Sequence, residues 1–119
     1  MGGRLTTHVL DVAAGRPAAG VELELSRREP GGGTRTLARA RTNADGRTDA
    51  PLLEDGALEA GRYELTFRVG AYYARRAVEL PDPPFLDDVA IRFGVADADA
   101  HHHVPLLVSP WSYATYRGS

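Results

Sequence analysis

The sequence predicts an all-β protein: an antiparallel β-sandwich of seven to eight strands with Greek-key connections and one short helix. Three observations carry this. The dominant hydrophobic period is two. Turn signals recur at the regular spacing of a sandwich. The one segment read as helical, Gly70 to Ala77, lacks alternation and is short.

Leu5 to Val12 reads as the first strand, ended by Ala14-Gly15-Arg16-Pro17. Val21-Glu22-Leu23-Glu24-Leu25 alternates apolar with acidic, so one face is buried and the other wet. Pro30-Gly31-Gly32-Gly33 is a flexible hairpin loop leading to a weaker strand, Thr36 to Thr42. Asn43-Ala44-Asp45-Gly46 supplies the side-chain acceptors and the glycine that a tight turn requires. Tyr63 to Val69 alternates again, and Gly70 to Ala77 is the helical segment. Pro81-Asp82-Pro83-Pro84 bars strand pairing, because proline cannot donate to a ladder. Val89 to Val95, His102 to Val108 and Trp111 to Arg117 close the set.

The chain has 119 residues, which fits one domain spanning 1–119 and leaves no room for two separate cores. A net charge of -2 argues against a broad electrostatic grip on nucleic acid. There is no cysteine, so a disulfide scaffold, a thiol nucleophile and a thiolate metal site are excluded. No apolar run approaches the about 20 residues of a membrane span, and the first residues have no signal-peptide core, so a cytoplasmic protein is expected. Trp111, Tyr113 and Tyr116 in the last strand are of the types enriched at interfaces, and a small sandwich exposes edge strands. A symmetric homo-oligomer is therefore expected.

Three regions hold most of the chemistry. His8 shares a strand face with Leu10 and Val12, Arg47 follows directly on the turn, and His101 and His103 share a face with His102 opposite. Taken singly, His8 reads as a half-buried histidine at a sheet rim and Arg47 as a solvated strand-start arginine. Asp97, Asp99, His101 and His103 have spacing permissive for a metal, but an Asp/His loop beside a strand is ordinarily just polar, and no metal is expected. The end of the chain adds Tyr116, Arg117 and Ser119, a phenol, a guanidinium, a hydroxyl and a terminal carboxylate. Histidine moves protons near neutral pH, and arginine clamps planar anions. Together they suggest a hydrolytic site for a small, polar, anionic ring. No Gly-x-Ser-x-Gly elbow and no phosphate-binding glycine loop is present, which fits water as nucleophile with no cofactor.

Over nearly its whole length the chain resembles the 5-hydroxyisourate hydrolases, the transthyretin-related enzymes of purine catabolism. The resemblance lies in Leu5-Thr6-Thr7-His8-Val9-Leu10-Asp11, in Thr42-Asn43-Ala44-Asp45-Gly46-Arg47, in His103-Val104-Pro105-Leu106-Leu107-Val108-Ser109-Pro110 and, most specifically, in Tyr116-Arg117-Gly118-Ser119. It implies a transthyretin-like sandwich assembled as a homotetramer, a dimer of dimers, and hydrolytic opening of the small molecule 5-hydroxyisourate without a cofactor. It implies that His8, Arg47 and His103 form the catalytic and substrate-binding trio, with Tyr116, Arg117 and Ser119 completing the pocket. His102 stands where the family often has an aromatic, and Trp111 where it has Tyr or Phe; neither is expected to touch the chemistry. A transthyretin-like carrier of an aromatic ligand is the alternative, disfavoured because those side chains would fill its channel with polar groups.

Overall fold

A computed structural model describes Gly2 to Ser119. Its strands are β1 (Leu5–Asp11), β2 (Arg16–Pro17), β3 (Glu22–Arg28), β4 (Thr34–Arg41), β5 (Gly61–Arg68), β6 (Asp88–Val95), β7 (His102–Val108) and β8 (Tyr113–Thr115); the helix α1 (Val69–Arg75) follows β5. They form two four-stranded sheets, ordered β2-β1-β7-β8 and β4-β3-β5-β6. The sandwich, the strand count and the short helix match the sequence reading.

Alternation decides what lies between the sheets. On β1, Leu5, Val9 and the hydroxyl residue Thr7 point inward, while Thr6, His8 and Leu10 face out. Tyr63, Leu65 and Phe67 on β5 and Val89 and Ile91 on β6 supply the opposing face, with Val104, Leu106 and Val108 from β7. Against β4 the register shifts between Leu25 and Ser26, leaving Leu37 of β4 as the extra residue, while β3 pairs unbroken with β5; Leu25 and Ser26 are both buried, and the strand runs on to Arg28 beyond the clean alternation. β4 is a largely exposed edge, held by the cross-strand ion pairs Arg39–Glu24 and Arg41–Glu22, hence its weak pattern.

Three details differ from expectation. Within the first sheet β1 and β7 run parallel, Leu5 pairing with His102 through to Asp11 with Val108. Alternation states which face is buried but carries no information on a partner's direction. Arg16 and Pro17, read as a turn, pair with Asp11 and Leu10 as a two-residue edge strand, a position that tolerates proline. The last strand covers only Tyr113–Thr115, not Trp111 to Arg117. Continuing the β7·β8 register would set Tyr116 against Pro105, which has no N–H to donate. The pairing resumes in the same register where the Gly118 N–H donates to the His103 carbonyl at 2.8 Å.

The helix is tied to the first sheet through one carboxylate. Asp11 is buried, and its oxygens accept from the hydroxyls of Tyr72 at 2.8 Å and Tyr73 at 3.0 Å and from the Ala14 N–H at 3.0 Å. Burial, then the bonds to Asp11, push both phenols well above the usual tyrosine range. Asp11→Ala leaves the buried Tyr72 hydroxyl without its acceptor and Tyr73 with the Val108 carbonyl alone at 3.2 Å, the orphaned hydroxyl costing about 1–3 kcal/mol. We expect Tm to fall by roughly 5–10 °C, measured by thermal denaturation; a change of a degree or two would mean that the helix is held by its other contacts and not by Asp11.

Candidate functional site

The outer face of the first sheet gathers the polar residues singled out from the sequence. Parallel pairing sets Thr6 beside His103 and His8 beside Pro105. On one flank an isolated antiparallel bridge joins His8 to Arg47; on the other, a bridge joins His103 to Gly118. Arg47, the β1 residues, His103 and the C-terminal residues thus form a strip across adjacent segments.

Arg47 is delivered by the turn. The Asn43 side-chain oxygen accepts from the N–H groups of Asp45 at 2.9 Å and Arg47 at 3.2 Å, and the Gly46 N–H donates to the Asn43 carbonyl. Gly46 has a φ of 76°, and a Cβ there would lie 2.4 Å from the Val9 carbonyl oxygen, so only glycine fits. The Val9 N–H in turn donates to the Gly46 carbonyl, pinning the turn to β1. The Arg47 guanidinium enters none of the ion pairs found among the described residues.

Both histidines are oriented by identifiable bonds. His8 Nε2 lies 2.9 Å from the Asp45 carbonyl oxygen. A carbonyl only accepts, so Nε2 carries the proton and the neutral ring keeps its Nδ1 lone pair free. His103 Nδ1 lies 2.8 Å from Thr6 Oγ1, leaving Nε2 available. Burial and then the Arg47 charge lower the affinity of both rings for a proton, against a rise at His8 from the Asp45 carbonyl. For His103, His101 and His8 add to the effect. The rings are therefore in the neutral, proton-accepting form around neutral pH. Because the unfolded chain binds these protons more readily, their contribution to stability is lost as pH falls below the ordinary histidine value.

A groove of about 350 Å³ opens beside them, lined by Arg47, His103 and Ser119 together with Arg4, Thr6 and Asp49. His8 stands at its side on the same sheet face and does not line it. Tyr116 and Arg117 are not in this groove. They line a second cavity of about 230 Å³ with Ile91, Phe93 and His102, and His103 is the wall shared by the two. Of the residues expected to complete the pocket, only Ser119 lines this groove. His102 is buried, with Nδ1 donating to the Ala100 carbonyl at 3.0 Å, and stays out of the groove as expected. Among the described residues no cluster of His, Asp and Glu is arranged to hold a metal ion. His101 and His103 both turn to Thr6 instead. Thr6 is the site residue that the sequence reading passed over, although its place two residues before His8 puts it on the same face.

Fold and groove together define a transthyretin-like sandwich whose outer face sets two neutral imidazoles beside a guanidinium. The chain belongs to the HIUase/Transthyretin family, whose model matches residues 5–118. It is 60% identical over 122 residues to a protein of Ralstonia nicotianae named 5-hydroxyisourate hydrolase, covering 98% of this chain and 99% of that one. It superimposes on the crystal structure of an (S)-allantoin synthase with a TM-score of 0.93 at 44% identity, spanning 99% of this chain but only 44% of that longer one. Sea bream transthyretin in complex with thyroxine aligns with a TM-score of 0.86 at 28% identity, over 97% of this chain and 94% of that one. The fold is thus common to enzymes and to a hormone-binding protein, and the site must decide between them.

The Gly118 position yields a test of the site's construction. A Cβ there would lie 2.5 Å from His103 Cδ2 and 3.2 Å from His103 Cβ. Gly118→Ala is therefore expected to displace the His103 ring, seen as shifted ring resonances in NMR spectra. The melting temperature should change by no more than an ordinary surface substitution, about 0.5 kcal/mol. Unmoved His103 resonances would mean that the tail yields and the ring does not depend on it.

Proposed function

We propose that this protein is a 5-hydroxyisourate hydrolase, opening the ring of 5-hydroxyisourate to 2-oxo-4-hydroxy-4-carboxy-5-ureidoimidazoline during urate breakdown, with water as nucleophile and no cofactor. The observation that carries the reading is the convergence of two neutral imidazoles and an unpaired guanidinium on one sheet face. The name of the Ralstonia relative supports it. A carrier has no use for two proton acceptors beside a cation, so the binding-only alternative explains less.

The roles follow from the hydrogen-bond geometry. A histidine removes a proton from water as the oxygen bonds the ring carbonyl carbon. His8 offers Nδ1 for this and His103 offers Nε2, and whichever does not take the proton orients the water or protonates the leaving nitrogen. Arg47 binds the substrate's carbonyl oxygens in the plane of its guanidinium and stabilises the negative charge that develops at the attacked carbon. Ser119, at the edge of the groove, hydrogen-bonds substrate or water.

Residues 1–119 act in this reading as a single cytoplasmic domain assembled as a homotetramer, a dimer of dimers. Exposed Trp111, Tyr113 and Tyr116 support an association surface, and assembly is the route by which Tyr116 and Arg117 would join a pocket that one protomer leaves without them. Among the described residues no helix is long and apolar enough to cross a membrane.

The test uses substrate generated in situ from urate, followed by its ultraviolet absorbance. The protein should accelerate the decay, and Arg47→Ala and His103→Ala variants that keep the parent's oligomeric state should lose about 10²–10⁴-fold of the catalysed rate. Full turnover in either variant would remove that residue from the mechanism.

A further inference from the structure

We propose that the Thr6 hydroxyl is the tautomer switch of the site: shared between the His101 and His103 rings, it decides whether His103 presents a lone pair or a proton to the substrate. The inference rests on the hydrolase reading above. It makes Thr6 and His101 positioning residues that act through His103.

The geometry is specific. Thr6 Oγ1 lies 2.8 Å from His101 Nε2 and 2.8 Å from His103 Nδ1. The two ring centroids are 6.2 Å apart and tilted by 47°, so the rings meet at this oxygen and not at each other. A hydroxyl has one proton to donate. If Thr6 donates to His101, it accepts from His103 Nδ1–H, and His103 Nε2 is a base. If Thr6 donates to His103, it accepts from His101 Nε2–H, and His103 Nε2 carries a proton and is an acid. In the remaining arrangement of neutral rings Thr6 accepts from both and turns its own proton elsewhere, which again leaves His103 Nε2 a base. Thr7, the next residue, shows the ordinary use of such a side chain: it points inward and donates to the Val104 carbonyl at 2.7 Å.

The switch balances the ring-opening step. As the water oxygen bonds the carbonyl carbon, a water proton passes to His103 Nε2. The Nδ1 proton moves to the Thr6 oxygen, and the hydroxyl proton moves to His101 Nε2. Charge is thereby carried from His103, which faces Arg47 and His8, to the exposed His101, whose cationic neighbour is Arg4. When the carbon–nitrogen bond breaks, the movement reverses: His103 Nε2–H goes to the leaving nitrogen, Thr6 reprotonates Nδ1, and His101 returns its proton. No net proton is gained or lost by the trio.

Thr6→Val keeps the β-branched shape and removes the hydroxyl, whereas Thr6→Ser keeps the hydroxyl. We expect Thr6→Val to lower kcat about 10–100-fold, the range seen when a group that orients a functional histidine is removed, with KM changed less than about threefold. Thr6→Ser should restore most of the rate. In ¹⁵N spectra the His103 ring nitrogens should change their proton occupancy in Thr6→Val and regain the parent pattern in Thr6→Ser. A Thr6→Val protein with parental kcat and parental His103 nitrogens would overturn the proposal, as would equal losses in both variants, which would indicate packing alone. If the parent protein failed to accelerate substrate decay, the hydrolase reading would fall, while the ¹⁵N comparison would still report whether Thr6 controls the His103 tautomer.

Discussion

The parallel pairing of β1 with β7 is the constraint on which the site depends. It brings together strands from opposite ends of the chain, and its register sets Thr6 beside His103 and Leu5 beside His102. Because side chains alternate, a slip of one residue would carry Thr6 and His8 into the core and expose Leu5 and Val9. The apolar inner face therefore enforces the arrangement of the polar outer one. Burying Leu5, Val9, Val104 and Leu106 between the sheets is the same event as aligning Thr6, His8 and His103 outside.

Every other part of the site is hung on that pair. The Asn43–Gly46 turn bonds to Val9 and carries Arg47 to His8. The tail follows β7 in register, skips Pro105 and bonds again at His103, where only a glycine leaves room for the ring. Asp11 closes the far end of β1 by holding both helix tyrosines. The electrostatics follow from the same geometry. Burial first, and then the charge of an arginine with no ion-pair partner among the described residues, keep the two imidazoles uncharged, so the cation that attracts an anion also helps hold the histidines in the form that can accept a proton.

Much of this was legible in the residues. Alternation in Leu5–Asp11, Tyr63–Phe67 and Val89–Val95 marks strands with one buried face, and Asn43-Ala44-Asp45-Gly46 marks a turn whose chemistry the structure bears out. The opposite facing of His102 and His103 was legible too. What was not legible depends on partners. The direction of β7 against β1, the pairing of Pro17 and the shortness of β8 all reflect which strand lies alongside, and a single strand's pattern does not encode that. Tyr116 and Arg117 were expected beside Ser119 but line the neighbouring cavity with Ile91 and Phe93 of β6, a neighbour that the tail's own sequence does not name. Thr6 looked like one more β-branched strand residue, and only the parallel register gives its hydroxyl two imidazoles to serve.

The central claim is that His8, Arg47 and His103 form one electrostatic unit on the outer face of this sheet. The most direct measurement is an NMR titration of the His8 and His103 ring protons in the parent protein and in Arg47→Gln. Both midpoints should lie below the ordinary histidine value of about 6.5 in the parent, and both should rise when the arginine charge is removed. Midpoints at the ordinary value that ignore Arg47→Gln would contradict the account.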